Sequence, residues 1–181
     1  MGNTQALPTV YNTYSYEKFS EFINKNIQND LPYISVGCGQ AMYERKFAKE
    51  FNKEMIYVDP KPDSFTNGNH TVDYPIVFDI IKNKPSLISN CNLLLFKPPP
   101  DTEQHFDVDA ICDLLPKYIF IMYETFGGDG STNLHYFLSL VGAPNGYCEL
   151  DEKRKQFFND KTIEMSKKYR VKDEITHTYG D

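Results

Sequence analysis

The stretch YISVGCGQAMYE, from Tyr33 to Glu44, decides the fold of this chain. A short β-prone run ends at Gly37-Cys38-Gly39, and a pattern typical of a helix follows at once. A second β-prone run, MIYV from Met55 to Val58, leads into Asp59 and Pro60. The order of strand, glycine turn, helix, strand and acid is the layout of a nucleotide-binding βαβ unit. The stretch therefore predicts a ligand as well as a fold.

The glycines and the aspartate have separate chemical purposes in such a unit. Glycines let the backbone approach a ligand closely, and an acid at the end of the second strand can accept hydrogen bonds from both ribose hydroxyls. A dinucleotide fingerprint would need a third glycine where Met42 stands, which disfavours NAD as the ligand. Asp59 has a second interpretation, in which it only caps the loop before Pro60.

Helix-like and strand-like segments alternate along the rest of the chain. The apolar spacing predicts helices over 16–27, 41–52, 108–115 and 133–141, and a short helix beginning at Pro85. Apolar runs predict further strands over 75–78, 92–96 and 118–123. In the polar tail, the sequence predicts one or two strands, paired as an antiparallel hairpin at the sheet edge, over 156–158 and 163–171. The inward face of the helix over 41–52 is expected to carry Met42, Phe47, Ala48 and Phe51.

These elements predict a single α/β domain over residues 1–181, with an irregular N-terminal arm over 1–14. The expected fold is Rossmann-like and doubly wound: a mostly parallel sheet with helices on both faces and an antiparallel edge hairpin near the C-terminus. Right-handed crossovers place the carboxyl end of every parallel strand at one rim, where ligands bind. The strand ends expected there are Gly37–Gly39, Asp59-Pro60, Asp79, Lys97–Pro100 and Glu124–Gly128.

Composition restricts the classes of partner. The chain of 181 residues has a formal net charge of -6 and a pI of about 5.2, which disfavours broad non-specific nucleic-acid binding. No apolar run approaches the length that crosses a membrane, and we expect no signal peptide. The 4 cysteines, without a CxxC motif, favour free thiols in a reducing compartment, so we expect a cytoplasmic protein. No metal site is predicted from the spacing of His70, His105, His135 and His177.

The ordered motifs over about residues 33–140 resemble those of class I S-adenosylmethionine-dependent methyltransferases. VGCGQAMYE is similar to their first motif, whose glycine loop wraps the methionine part of the cofactor. This resemblance implies that Gly37, Cys38 and Gly39 line the cofactor S-adenosylmethionine. IYVDP is similar to the second motif, which implies that Asp59, followed by Pro60, binds the ribose.

Two further stretches resemble the third and fourth motifs of that family. PIVFDI implies that Phe78 packs on the adenine and that Asp79 accepts a hydrogen bond from its amino group. LLLFKPPP implies that Phe96, Lys97 and Pro98 form the floor of the reaction site. The set VGCGQAMYE, VDP, FKPPP and YETFGGDG is most similar to a poorly characterised group of methyltransferase-like proteins. The resemblance therefore implies a fold and a cofactor, but not a reaction.

The chain departs from the family pattern at three places. Ser35 stands where an acid is usual, and Ala41 stands where a third glycine is common. Glu44 is a candidate to replace that acid as partner of the methionine ammonium, although a carboxylate there also suits the helix N-terminus. KPPP replaces the (Asp/Asn)-Pro-Pro-(Tyr/Phe) box of amino-methyltransferases, and a charged Lys97 cannot accept a hydrogen bond. Methylation of adenine N6 or cytosine N4 is therefore disfavoured.

The cofactor implied by the resemblance predicts methyl transfer, and the acidic charge and compact size of the chain favour an oxygen or nitrogen of a small or carbohydrate-like acceptor, with Glu124 or Lys97 as base or orienter. The plainer alternatives are a rim charge for Glu124, an exposed strand end for Lys97 and a turn cap for Asp79. The loop Gly127–Gly130 is a candidate to close over substrate or to cradle a phosphate. Two other functions stay open. One is a binding or scaffold protein that has lost its chemistry; the other is a nucleic-acid or cap methyltransferase subunit, which predicts a basic face around the strand ends.

Overall fold

A computed structural model describes residues 16–59, 72–98, 106–123, 129–143 and 160–173. Helices and strands alternate along these ranges, which confirms the predicted α/β class. The described α-helices are α1 (Tyr16–Asn26), α2 (Met42–Glu50), α3 (Val77–Asn83), α4 (Phe106–Leu114), α5 (Thr132–Leu140) and α6 (Asp160–Ser166). A short 3-10 helix, Pro85–Leu87, lies where the sequence predicts one. None of the helices in these ranges is long and apolar enough to span a membrane.

Four parallel strands form the sheet, in the spatial order β2-β1-β3-β4. They are β1 (Tyr33–Val36), β2 (Met55–Val58), β3 (Asn92–Phe96) and β4 (Tyr118–Met122). The first residues of neighbouring strands are paired with one another, so the strands begin level. Their carboxyl ends therefore lie along one side of the sheet, which we call the carboxyl edge.

Successive residues of a strand point to opposite faces of the sheet, and helices pack against both faces. On one face, Tyr33 and Leu94 pack with residues of α1 and α2. On the other face, Ile34 and Leu93 pack with residues of α3, α4, α5 and α6. Helices thus cover both faces, as the Rossmann-like prediction requires.

Aromatic rings fill the face under α1. Phe19 of α1 meets Phe47, Phe96 and Phe120 edge-on, with ring centroids 6.1, 5.5 and 5.5 Å away. Edge-to-face contacts of this kind stabilise a core beyond the apolar area that they bury. They fix α1 over the sheet and hold the end of β3 in place, because Phe96 is the last residue of that strand.

The strand predicted over 75–78 is wrong, because α3 begins at Val77. Before the helix, Tyr74 makes one isolated parallel bridge to β2. The Asp73 carboxylate accepts a backbone N–H of β2 at 2.8 Å, in place of a strand carbonyl. Pro75 then lacks the amide that would continue the pairing. The chain therefore leaves β2 after a single bridge.

The antiparallel hairpin predicted for the tail is also wrong among the residues described. Helix α6 occupies part of the segment 163–171, and all strand pairs of the described sheet are parallel. Thr162, Met165 and Ser166 are buried with the spacing of one helix face. This helical spacing, and not an alternation of apolar and polar residues, sets the secondary structure of the segment. The other predicted segment, 156–158, lies outside the described residues.

Helix α2 turns Phe47 inward as expected, but it does not bury Met42, which is exposed. Glu44 occupies a buried position of this helix instead. The helix therefore places a carboxylate, and not a thioether, against the sheet beside the glycine turn.

Candidate functional site

The strand order creates a crevice at one point of the carboxyl edge. From β1 the chain crosses to β2 on one side, whereas β3 lies on the other side of β1 and leads on to β4. In open α/β sheets, ligands bind outside the carboxyl ends of the two strands at which this direction reverses. Here those strands are β1, which runs into Gly37, and β3, which runs into Lys97.

The glycine turn after β1 is built from left-handed backbone. Gly37 and Gly39 have φ values of 69° and 50°, a region that glycine enters without steric cost. Ala41, where the family pattern has a glycine, also adopts φ 49°. The amide of Gly37 donates to the Val58 carbonyl at 2.8 Å, so the turn is attached to the end of β2. This backbone supplies the close approach that the sequence predicted.

Asp59, at the end of β2, is hydrogen-bonded to that turn. Its Oδ2 accepts the Gly39 amide at 2.7 Å, and its side chain is buried. The structure thus gives it a capping role toward the glycine turn, which differs from the suggested cap of the loop before Pro60. A carboxylate has about four acceptor positions, so one amide bond is compatible with accepting ribose hydroxyls as well.

Ser35 and Glu44 form a buried pair beneath the turn. Ser35 Oγ donates to Glu44 Oε1 at 3.1 Å, and Glu44 is only 2% exposed. Burial raises the pKa of Glu44 to about 7, because it outweighs the hydrogen bond from Ser35 and the charge of Arg45. Where the family pattern has an acid on the first strand, this chain has a serine that holds a carboxylate from α2. The role of Glu44 as a replacement for that acid stays a prediction.

Charged groups gather around Cys38, in the middle of the turn. Burial raises the pKa of the Cys38 thiol to about 12, with Glu44 and Asp59 adding to the rise and Arg45 opposing it. The thiol is therefore neutral and a poor nucleophile at physiological pH. Two acids and one guanidinium lie close enough to the turn to act on it electrostatically.

Arg45 is a feature that the sequence analysis missed. Its Nε donates to the Gln40 carbonyl at 3.3 Å, and its guanidinium carbon lies 4.1 Å from the centroid of the Tyr57 ring. Stacking on an aromatic face orients a guanidinium without consuming all of its donors. Its place next to Glu44 was visible in the sequence, but the stacking on a side chain of β2 was not.

The residues assigned to the third motif lie on α3. Phe78 is 65% exposed, beside the exposed Ile76. Asp79 belongs to the first turn of the helix, and the N-cap residue is Ile76, so Asp79 is not the turn cap that was considered. The Tyr74 carbonyl accepts the Asp59 amide at 3.3 Å, which ties the approach to α3 to the end of β2. The exposed ring of Phe78 therefore lies four residues after Tyr74, which is hydrogen-bonded to Asp59.

Lys97, the residue that follows β3, has a buried side chain. Lys97 has φ 47°, its amide donates to the Met122 carbonyl at 2.8 Å, and its side chain is 9% exposed. The alternative of a solvent-exposed strand end is wrong. The Phe96 ring packs in the aromatic layer under α1, with its centroid 5.6 Å from that of Tyr43, and this contact anchors the end of β3.

Asp129 and His135 join Lys97; the sequence analysis placed Asp129 only within the candidate loop Gly127–Gly130 and gave His135 no role in the site. Lys97 Nζ lies 3.9 Å from Asp129 Oδ2. His135, which is 2% exposed, places Nε2 2.8 Å from the Asp129 carbonyl oxygen and its ring 6.0 Å from that of Tyr123. The histidine lies within an apolar helical pattern, so no sequence signal distinguished it from an ordinary core residue.

Several predicted site residues lie outside the described ranges: Pro60, Pro99, Pro100, Glu124, Gly127 and Gly128. Pro98 is described, and its carbonyl accepts the Gly130 amide. Within the described ranges, no group of three or more His, Cys, Asp or Glu side chains has metal-binding geometry.

Two shallow depressions lie away from this site. One, of about 270 Å³, is lined by residues that include Met55 and Lys84; the other, of about 290 Å³, is lined by residues that include Asn29 and Lys53. Both are at the amino ends of the strands. Parallel α/β sheets bind ligands at the opposite edge, so the crevice between Gly37 and Lys97 is the better candidate.

In comparisons with known proteins, no protein-family model, no curated protein and no solved structure matches the chain.

Proposed function

We propose that this chain is an S-adenosylmethionine-dependent methyltransferase that acts on an oxygen or nitrogen of a small or carbohydrate-like acceptor. One observation carries the proposal. Beside the reversal point of the parallel sheet, Asp59 at the end of β2 accepts the Gly39 amide of the turn that follows β1, and a buried Glu44 lies beneath the same turn. This unit offers left-handed glycine backbone, an acid at the end of the second strand, and a second acid at the turn, which together suit a nucleoside joined to an amino acid.

The donor set around the turn fits the methionine part of the cofactor. Gly37, Cys38 and Gly39 would line it through their backbone. The Glu44 carboxylate would accept hydrogen bonds from the ammonium, and the Arg45 guanidinium would bind the carboxylate. A neutral thiol at Cys38, with its pKa raised to about 12, adds no competing charge.

The nucleoside part would lie along the end of β2. Asp59 would accept hydrogen bonds from the ribose hydroxyls, followed by Pro60. The exposed ring of Phe78 would pack on the adenine, and Asp79 would accept from its amino group. Both residues of α3 follow Tyr74, whose carbonyl is bonded to Asp59.

The chemistry asks little covalent work of the protein. S-adenosylmethionine supplies a methyl group that is already electrophilic because it is bound to a sulfonium. The protein must align the acceptor atom with it and receive a proton where the acceptor carries one. In this proposal Phe96, Lys97 and Pro98 form the floor of that reaction site, and Glu124 or Lys97 is the base or orienter.

The charges of the described carboxyl edge favour a small acceptor over a nucleic acid. Among the described residues there, Glu44 and Asp59 at the glycine turn and Asp129 beside Lys97 are acidic, whereas Arg45 and Lys97 are basic. A nucleic-acid surface requires a basic patch that releases counterions from phosphates. The nucleic-acid alternative would gain support only from salt-sensitive RNA binding to the purified protein.

Removing the Asp59 carboxylate should weaken cofactor binding in a calorimetric titration with S-adenosylhomocysteine. We expect Asp59→Asn to weaken binding by about tenfold to a hundredfold, because a charged acceptor of hydroxyl hydrogen bonds contributes about 1.5–3 kcal/mol. Asparagine keeps a carbonyl oxygen for the Gly39 amide, so the turn should survive. Asp30→Ala, at an exposed residue far from the turn, is the matched control.

Absence of binding to the folded wild-type protein would contradict the methyltransferase proposal. It would instead support the alternative of a binding or scaffold protein that keeps the fold without the cofactor.

A further inference from the structure

We propose that Lys97 and Asp129 form the subsite that receives an anionic group of the methyl acceptor, a carboxylate or a phosphate. This inference rests on the proposed function, because it assigns the acceptor side of the same edge. Lys97 directly follows β3, next to the glycine turn that follows β1. Asp129 precedes α5, and its side chain meets that of Lys97 across the carboxyl edge.

The fold buries this ammonium although it leaves other lysines in water. The Lys97 side chain is 9% exposed, whereas those of Lys25 and Lys161 are 73% and 57% exposed. Removing an ammonium from water is costly, and a protein tolerates it where a counter-charge is present. Asp129, with a side chain 17% exposed, provides one.

The pair is held by charge without being locked by a hydrogen bond. The separation of 3.9 Å between Lys97 Nζ and Asp129 Oδ2 exceeds hydrogen-bonding distance. An oxyanion of a ligand that comes within hydrogen-bonding distance would be a stronger partner for the ammonium than this carboxylate. Asp129 therefore orients Lys97 and competes only weakly for it.

The backbone on the lysine side is fixed in an unusual conformation. Lys97 adopts φ 47°, a left-handed conformation that is sterically unfavourable for a residue with a side chain. The bond from its amide to Met122 and the bond from the Gly130 amide to Pro98 hold this conformation from both sides. Strained backbone that surrounding bonds over-determine is concentrated at ligand-binding positions.

The backbone on the aspartate side is fixed by side chains. His135 Nε2 faces the Asp129 carbonyl, which can only accept, so Nε2 carries the hydrogen and donates. Two positions along, the amide and the hydroxyl of Ser131 donate to the buried Asp107 carboxylate at 2.8 and 2.7 Å. Asp129 and His135 are thus positioning residues, which act on the acceptor through Lys97.

The test uses inorganic phosphate and acetate as probes, titrated at constant ionic strength into the full chain and followed by NMR chemical shifts. We expect the wild-type protein to bind at least one probe, and to do so equally when saturated with S-adenosylhomocysteine. The probe that binds more tightly identifies the anionic group. Lys97→Met should weaken binding by about tenfold or more, since a hydrogen bond to a charged group is lost. Lys97→Arg should retain it, and Lys25→Met, at an exposed ion pair, should leave it unchanged.

Asp129→Asn separates a positioning role from a merely structural one. Removal of the competing carboxylate should tighten probe binding several-fold, although loss of the counter-charge lowers the melting temperature; a residue with only a structural role would lower the melting temperature without tightening binding. No binding of either probe, or equal binding by Lys97→Met, would overturn the inference. Displacement of the probe by S-adenosylhomocysteine would also overturn it, because Lys97 would then hold the cofactor's own carboxylate. Failure of S-adenosylhomocysteine to bind while the probes behave as expected would contradict the proposed function alone.

Discussion

Glu44→Gln should stabilise the protein by about 3 kcal/mol at pH 8 and change its stability little at pH 4. The Glu44 carboxyl is buried, and its pKa rises from 4.5 to about 7 in the fold. Between these values the folded protein holds a proton that the unfolded chain releases. Stability therefore falls as the pH rises from about 4.5 to about 7, and each pKa unit corresponds to about 1.4 kcal/mol. Glutamine keeps an oxygen that can accept the Ser35 hydroxyl but carries no charge.

Urea unfolding at several pH values measures this effect as the difference between variant and wild type. Glu21→Gln, at an exposed position of α1, is the matched control for the loss of a carboxylate that is not buried. A Glu44→Gln protein that is less stable than wild type at pH 8 would mean that the carboxylate is compensated in the fold. The argument that this acid is maintained for a ligand would then lose its basis, since functional sites are where uncompensated groups are tolerated.

The affinity for S-adenosylhomocysteine should fall about tenfold between pH 7.5 and pH 6, and Glu44→Gln should remove this dependence. Only the ionised Glu44 carboxylate attracts the amino-acid ammonium, and below its pKa of about 7 the protein must first lose that proton. The ligand ammonium itself stays mostly protonated over this range, because an α-amino group titrates at about 7.7–8.0. The upper limit of pH 7.5 avoids its loss.

Other groups at the turn do not account for such a dependence. The Cys38 thiol, with its pKa raised to about 12, stays neutral throughout. Calorimetry at both pH values, with the protonation heat corrected by using two buffers, gives the ratio. An affinity that is the same at pH 6 and pH 7.5 in the wild-type protein would remove Glu44 from the cofactor site.

Much of the fold could be read from local patterns. The continuous apolar run at 92–96 and the glycine turn after Val36 each predicted a strand and its end, because buried parallel strands and left-handed turns have few sequence solutions. The strand prediction for the segment after Tyr74 was wrong because of tertiary contacts. A carboxylate from Asp73 occupies the β2 edge, and Pro75 cannot pair, so an apolar segment that looked like a strand became a helix.

Only the part of the candidate site that lies within one continuous stretch of sequence could be predicted. Asp59 and the glycines occupy the places that their motifs gave them, since a βαβ unit fixes them within one stretch of chain. Other residues join the site through contacts between elements that are separate in the sequence. Arg45 stacks on a ring of β2, Asp129 pairs with the lysine after β3, and His135 faces a backbone carbonyl before α5. Such contacts depend on strand order and register, which no single stretch of sequence encodes.

The central claim is that the glycine turn and the end of β2 form one cofactor site. The most direct test is a titration of S-adenosylhomocysteine into ¹⁵N-labelled protein, observed through backbone amide shifts. We predict the largest shifts at the amides of Gly37, Cys38, Gly39 and Asp59, with small shifts at the amino ends of the strands. Shifts centred on Asn29 and Lys53, in the depression at the opposite edge, would contradict the account.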